Sequence, residues 1–197
     1  MNRFLIFWSM LPKLSFAGRI SGFLEKSLGK RVLVSACLVG WKCRYNAVDC
    51  YSPILFSYAE EYRWSLVPVC PEVLGGLDIP RLPAIISGGS AIDVWEGRAT
   101  IMNSALKNVT KFFLDGAKKA LAVAERTRCG FAVLKERSPS CGVNAITNMM
   151  GTIRKGQGIT SQLLLTNGIK IISDEELFLF HQRGNNSLTA QFDKKKQ

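Results

Sequence analysis

The hydrophobic pattern of this 197-residue chain alternates short apolar runs with longer amphipathic stretches. Four runs rich in β-branched residues predict buried strands, at residues 32–36, 66–69, 131–134 and 169–172. Helical spacing predicts helices over 53–63, 109–128 and 159–166, and a last helix that begins with the acidic turn 173–176. Strands that alternate with helices are typical of a parallel sheet covered by helices. We therefore expect an α/β fold, a single-domain Rossmann-like layer structure with a mostly parallel sheet.

The same pattern divides the chain into an extension (1–30), an α/β domain (31–180) and a polar, basic tail (181–197). Apolar positions of the extension recur at helical spacing between Phe16 and Leu28, beside basic residues. Four interpretations of this extension are open: a transit-like leader, a membrane-surface helix, a helix packed on the domain, or a translated upstream segment. Within the domain, the long loop before residue 107 predicts a function or minor strands, such as one at residues 100–102.

Composition and charge narrow the function classes. Hydrophobic residues make up 47% of the chain, yet no apolar stretch is long enough to predict a transmembrane segment. The net charge of +11 falls mostly in the two ends, where solvated tails and nucleic-acid contact explain it equally well. Six cysteines without a convincing signal peptide predict reduced thiols and a cytoplasmic protein.

His181 is the only histidine, and we expect it to follow the last helix and to face solvent. Ser-His-Asp catalysis, two-histidine zinc chemistry and facial-triad iron are therefore disfavoured. Cysteines, carboxylates, hydroxyls and backbone amides are left to carry the chemistry.

Three cysteines, Cys37, Cys70 and Cys141, each follow a predicted strand. Ligands of open α/β sheets bind beyond the carboxyl ends of the strands, so we expect these thiols to meet at one edge. Each lies near Gly or Pro and has a hydroxyl or carboxylate within a few residues. A single cysteine in such a place is more often a small buried hydrophobe, but three in three polar loops favour a soft metal centre.

The kind of centre depends on the number of thiolates. No C-x-x-C pair and no usable histidine are present, which disfavours a zinc site of four protein ligands. Three thiolates on a 4Fe–4S cluster would leave one iron open to a sulfur ligand. Cys43 or Cys50 could supply a fourth thiolate, which would make the site closed, structural or electron-carrying. Cys129, at the end of the long helix, is interpreted as a core residue.

The cysteine loops resemble, motif for motif, the thiouracil desulfurase family. The matching strings are Val34-Ser-Ala-Cys-Leu-Val-Gly40, Cys43-Arg-Tyr-Asn46, Leu66-Val-Pro-Val-Cys-Pro-Glu-Val-Leu-Gly-Gly-Leu77, Pro80-Arg-Leu-Pro-Ala84, Leu134-Lys-Glu-Arg-Ser-Pro-Ser-Cys-Gly142, Gly156-Gln-Gly-Ile-Thr160 and Asn167-Gly-Ile-Lys-Ile-Ile172. The resemblance covers residues 31 to 178, nearly the whole α/β domain.

The resemblance implies a 4Fe–4S cluster held by Cys37, Cys70 and Cys141. The implied activity is that of an iron–sulfur-dependent, non-redox desulfurase, which converts a small thiolated pyrimidine such as 2-thiouracil to uracil and sulfide. The reaction needs an acid–base group, and Glu72, two residues after a ligand, is our candidate. A salt bridge or a helix cap is the alternative role for this residue.

Further residues are candidates for contacts with the substrate. Ser138 or Ser140 would orient substrate or water, although turn hydroxyls also cap loops. Three arginines could hydrogen-bond the pyrimidine or offset the charge of the cluster: Arg44, Arg81 and Arg137.

Two other functions remain open. The same chemistry could act on thiouridine in RNA through the basic tails, or the protein could be a non-enzymatic iron–sulfur or metal-binding protein with a fourth cysteine ligand. The chain also departs from the family pattern on the substrate side. Asn46-Ala47 stands in place of Asp-Gly, Ile85 in place of a glutamate, and Met149-Met150 in place of a polar pair. Asp49 is a possible replacement for the missing carboxylate.

Overall fold

The computed structural model describes residues 15–183. The helices are α1 (Phe16–Ser27), α2 (Pro53–Glu61), α3 (Pro71–Leu74), α4 (Ala91–Trp95), α5 (Thr110–Arg126), α6 (Ile159–Thr166) and α7 (174–183). The strands are β1 (Arg31–Ser35), β2 (Ser65–Val69), β3 (Ala84–Ser87), β4 (Thr100–Asn103), β5 (Phe131–Leu134), β6 (Ala145–Thr147), β7 (Ile153–Lys155) and β8 (Lys170–Ser173).

The central sheet has the order β2-β1-β5-β8, and all its strand pairs are parallel. Side chains of β1 alternate between the two faces, as strand geometry requires. Val32 and Val34 join the core cluster that contains residues of α1 and α2, whereas Leu33 joins the cluster that contains residues of α5 and α6. The α/β fold with a parallel sheet is therefore confirmed, with helices on both faces.

Helix α1 belongs to the same core as the sheet. Its Ile20, Phe23 and Leu24 are buried, and the Phe23 ring packs edge-on against Phe131 of β5 and Trp64 before β2. Among the four interpretations of the extension, a helix packed on the domain is therefore the one that describes residues 16–27. Residues 1–14 and the tail from 184 lie outside the described residues.

Two antiparallel pairs flank the central sheet. Strands β3 and β4 pair within the long loop before residue 107, where a minor strand was predicted. Strands β6 and β7 form a second pair after the third cysteine, which the sequence did not predict. A third core cluster, which includes Ile86, Ile101, Phe113 and Ile146, joins both pairs to α5.

Two glycines allow helices to approach the cysteine loops. A Cβ on Gly116 of α5 would lie 1.9 Å from the Pro71 carbonyl oxygen of α3, so only glycine permits this contact. A Cβ on Gly158, before α6, would lie 2.4 Å from the Ser140 carbonyl oxygen. Helices α5 and α6 therefore hold the loops that follow β2 and β5.

The prediction that His181 follows the last helix is wrong. This residue lies within α7 rather than after it, and its ring packs edge-on against Tyr58 of α2 at 5.9 Å between centroids. The acidic turn that begins α7 was recognised, but the helix continues to residue 183 because its apolar face packs on the domain. In the part of the chain that the structure describes, no helix has the length and apolar character needed to cross a membrane.

Candidate functional site

The carboxyl ends of β2, β1 and β5, three neighbouring strands, carry the three cysteine loops. Cys37 lies in a 3₁₀ turn directly after β1, Cys70 is the N-cap of α3 after β2, and Cys141 lies in the loop after β5. All three side chains line one cavity of about 510 Å³ at this edge of the sheet. Glu72 and Ser138 line the same cavity, so most of the predicted site residues meet there.

The three remaining cysteines lie in different surroundings. Cys43 lines the cavity, and its carbonyl oxygen accepts from the Cys70 thiol, with 3.6 Å between sulfur and oxygen. Cys50 is half-buried against the core beside α2 and does not line the cavity. Cys129 is buried in the core cluster of α5 and β5, in agreement with its interpretation as a core residue. All six cysteines are free, so Cys43 alone is placed to be a fourth thiol at the site.

Burial and mutual contact raise the pKa values of the cavity thiols. Contact with Cys37, together with burial, raises the pKa of Cys43 to about 11, although contact with Cys70 acts in the opposite direction. Burial raises the pKa of Cys141 to about 12, and contact with Cys43 raises that of Cys70. Iron binds the thiolate, so loading a metal centre here releases protons.

Glu72 lies in the first turn of α3 and forms an ion pair with Arg81. The Arg81 Nε donates to Glu72 Oε2 at 2.8 Å, and the terminal nitrogens of Arg81 both donate to the Cys43 carbonyl oxygen at 3.1 Å. The Arg81 side chain is only 8% exposed and that of Glu72 16%. Sequence reasoning offered Arg81 to the pyrimidine or the cluster, whereas the structure pairs it with Glu72.

The two candidate serines have different surroundings. Ser138 Oγ accepts hydrogen bonds from the backbone amides of Ser140 and Cys141, both at 3.1 Å, and Ser138 lines the cavity. Ser140 is buried, its hydroxyl lies 2.9 Å from that of Thr160, and it does not line the cavity. Because both lone pairs of Ser138 are taken by amides, its hydroxyl proton is left to donate to a ligand.

The other substrate-side candidates are partly engaged. Arg137 forms an ion pair with Glu175, with Nε at 2.8 Å from Oε1. The Arg44 guanidinium lies 5.8 Å from the centroid of the Tyr45 ring, and both residues line the cavity. Asp49 accepts from the Tyr51 amide and does not line the cavity, so it does not replace the missing carboxylate there.

Two departures from the family pattern face the cavity. Ile85 and Met149 both line it, which makes part of its wall apolar. Ala47 has φ 56°, the left-handed region that glycine adopts without strain. Alanine therefore adopts a backbone conformation at this turn that suits glycine better.

Sequence reasoning gave no role to Glu136, which organises the third cysteine loop. Its buried carboxylate accepts from the amides of Val143, Asn144 and Ala145 at 2.9, 3.1 and 2.9 Å. Burial alone would raise the pKa of Glu136, but these amides and Ser173 outweigh it and hold the pKa below its ordinary value. The only signal for such a role in the sequence is an acidic residue two positions after a buried strand.

We expect Glu136→Gln to destabilise the fold, because a neutral glutamine oxygen accepts the three backbone N–H bonds less strongly than a carboxylate oxygen, and the glutamine NH₂ cannot accept from the Asn144 side-chain amide. Loss of such charge-assisted bonds costs about 2–3 kcal/mol, or about 5–10 °C in Tm for a chain of this size. The pKa of Glu136 is lower in the folded state, so its contribution is present at neutral pH. It is lost as the pH falls below about 4.5, where the unfolded carboxyl titrates, and through the folded pKa.

Thermal unfolding between pH 3 and 8, followed by circular dichroism, measures this effect. Glu125→Gln, on the exposed face of α5, is the matched control and should leave Tm unchanged. An equal Tm for Glu136→Gln and the wild type at neutral pH would show that the carboxylate does not hold the loop.

Fold and site together define a class of protein, an α/β protein with a thiol-lined cavity at the carboxyl edge of its parallel sheet. A family model described as 2-thiouracil desulfurase matches residues 32–176. The chain belongs to the 2-thiouracil desulfurase family, which confirms the resemblance drawn from the cysteine loops.

Two similar proteins agree with this assignment. The uncharacterized protein YbbK of Bacillus subtilis (strain 168) is 40% identical over 148 residues, which cover 74% of this chain and 97% of YbbK. Among solved structures, the 4Fe–4S-dependent thiouracil desulfidase TudS has a TM-score of 0.65 and 33% identity, covering 79% of this chain and 98% of TudS.

Proposed function

We propose that this protein is a 4Fe–4S-dependent thiouracil desulfidase that acts on a small thiolated pyrimidine. The reaction consumes one water, replaces C=S by C=O and releases the sulfur as sulfide, so no electrons are gained or lost. The observation that carries the proposal is the meeting of three thiols, a carboxylate and a hydroxyl-donor serine in one cavity. Family membership and the likeness to TudS support it.

The residues at the cavity fit an iron–sulfur cluster. Cys37, Cys70 and Cys141 come from three loops and offer soft donors only, as such clusters prefer. Within residues 15–183, no three His, Cys, Asp or Glu side chains are grouped to hold a single metal ion. The three thiols line a cavity of about 510 Å³, which has room for a polynuclear centre and a small ligand beside it.

The cluster would supply a Lewis-acidic iron for the thiocarbonyl sulfur, which makes the adjacent ring carbon electrophilic. The chain supplies the proton chemistry. Glu72 accepts a proton from the attacking water and returns it to the ring nitrogen or the departing sulfide. Ser138 donates its hydroxyl proton to an acceptor on the pyrimidine and so fixes the orientation of the ring.

Anaerobic reconstitution with iron and sulfide, followed by addition of 2-thiouracil, tests the proposal. We expect about four irons per chain, a broad brown absorbance, and equal amounts of uracil and sulfide without added reductant. Uracil is measured by chromatography and sulfide by a colorimetric assay. Protein that stays colourless and iron-free would refute the cluster, and iron-loaded protein that releases no sulfide would refute the activity.

A further inference from the structure

Four of the five N–H groups of the Arg81 guanidinium donate hydrogen bonds within the protein. Nε and Nη2 contact Glu72 Oε2, both at 2.8 Å, and Nη1 and Nη2 donate to the Cys43 carbonyl oxygen at 3.1 Å. Nη1 also donates to the Asp78 carbonyl oxygen at 3.2 Å. A guanidinium has five N–H groups, and hydrogen bonds to Glu72, Cys43 and Asp78 engage four of them. Most of the Arg81 donors are therefore engaged within the protein, although Arg81 lines the cavity.

Glu72 is held in an asymmetric way. Both contacts of Arg81 fall on Oε2, and no described residue donates to Oε1. In the described part of the chain no buried side-chain oxygen or nitrogen lacks a hydrogen-bond partner, so Oε1 is accessible. Since Glu72 lines the cavity, this accessible oxygen is the one available to water or substrate.

The same guanidinium connects two of the cysteine loops. It bonds the backbone of Cys43, in the loop after β1, and the side chain of Glu72, two residues after Cys70. The Arg81 amide adds a hydrogen bond to the Tyr45 carbonyl oxygen at 2.8 Å, which ties the two segments again. At 8% exposure the Arg81 side chain is shielded from water, so these bonds are little weakened by solvent.

From these contacts we infer that Arg81 is a positioning residue for Glu72. It fixes Oε2 and thereby directs Oε1 toward the reacting group, and it touches neither substrate nor cluster itself. The inference rests on the proposed function, in which Glu72 moves the proton. Misplacement of a catalytic group by about 1 Å costs on the order of 100-fold in rate, so loss of Arg81 should lower kcat far more than it changes KM.

The test is a double-mutant cycle in the reconstituted enzyme, with Arg81→Met, Glu72→Gln and the double variant assayed on 2-thiouracil. We expect Arg81→Met to lower kcat about 30- to 100-fold with KM within about threefold and iron content unchanged. In the Glu72→Gln background the same change should lower kcat less than about twofold, because no carboxylate is left to direct. Arg81→Lys, which keeps one charged contact but not the fork that also bonds Cys43, should recover kcat only in part, to a value between Arg81→Met and the wild type.

Arg98→Met is the matched control, since Arg98 is exposed and pairs with Asp93 and Glu96 away from the cavity. Equal kcat losses from Arg81→Met in both backgrounds, or loss of iron from Arg81→Met, would overturn the inference and make Arg81 a support of the fold.

A second readout needs neither iron nor activity. Thermal unfolding of the full chain without reconstitution should show that the Tm losses of Arg81→Met and Glu72→Gln do not add, because each variant breaks the same ion pair. Additive losses would contradict the pairing. If the wild type forms the coupled pair but releases no sulfide, the proposed function fails and the structural pairing stands.

Discussion

Serine in place of Cys37, Cys70 or Cys141 is expected to remove both the iron and the activity of the protein. The hydroxyl of serine is a harder and far less acidic donor than a thiol, so it does not replace a thiolate on iron. The three cysteines follow adjacent strands, and each lies in its own loop, so each would supply one ligand from a different part of the chain. Iron should fall from about four to below about one per chain after reconstitution.

Iron and sulfide analysis with the visible absorbance spectrum measures this loss, and the Tm of the protein before reconstitution separates it from misfolding. Cys50→Ser is the matched control, because Cys50 lies in the same loop as Cys43 yet does not line the cavity. A Cys141→Ser protein that keeps four irons and its activity would show that the cluster is not held as proposed.

Whether Cys43 is a ligand of the cluster distinguishes an enzyme from a passive cluster carrier. Cys43 lines the same cavity as Cys37 and Cys70, and its carbonyl oxygen accepts from the Cys70 thiol at 3.6 Å, so it is a candidate fourth donor. In the proposed enzyme, the fourth coordination position of the cluster is left for the sulfur of the substrate. Cys43→Ser should therefore retain iron. Loss of iron from Cys43→Ser, as severe as that from Cys37→Ser, would instead favour four thiolate ligands and a closed site.

The sequence predicts the parallel sheet and the meeting of the three cysteines, because a local hydrophobic pattern and a general property of parallel sheets are enough for both. The β-branched runs locate the four parallel strands to within one or two residues, because buried parallel strands are continuously apolar. The rule that ligands bind beyond the carboxyl ends of such strands then brings Cys37, Cys70 and Cys141 to one edge. Neither step needs a contact between residues distant in sequence.

The pairs that complete the site depend on such contacts and could not be predicted. Glu72 and Arg81 are nine residues apart without helical spacing, and a turn of the chain brings them together. Ser138 and Ser140 look equivalent in sequence, but a bond to Thr160 of α6 turns Ser140 into the core. Strand β7 was missed because its three residues are all exposed and carry no alternation.

Replacing Glu72 by glutamine is expected to lower kcat about 10²- to 10⁴-fold, the usual contribution of a general acid or base. Glutamine has the same shape and can still accept from Arg81 through its carbonyl oxygen, so the cysteine loops should keep their arrangement although the charge of the ion pair is lost. It cannot take a proton from water. The loss should therefore fall on kcat, with KM and iron content close to those of the wild type.

Steady-state kinetics on 2-thiouracil with the reconstituted variant measures the effect, and iron analysis of the same sample excludes loss of the cluster. Glu96→Gln, on an exposed side chain that pairs with Arg98, is the control and should leave kcat unchanged. Glu72→Asp keeps the carboxylate but shortens its reach, so it should fall between the wild type and Glu72→Gln. A Glu72→Gln enzyme with more than half of the wild-type kcat would show that another group carries out the proton transfer. Ser138, the hydroxyl donor in the same cavity, would be the next to test.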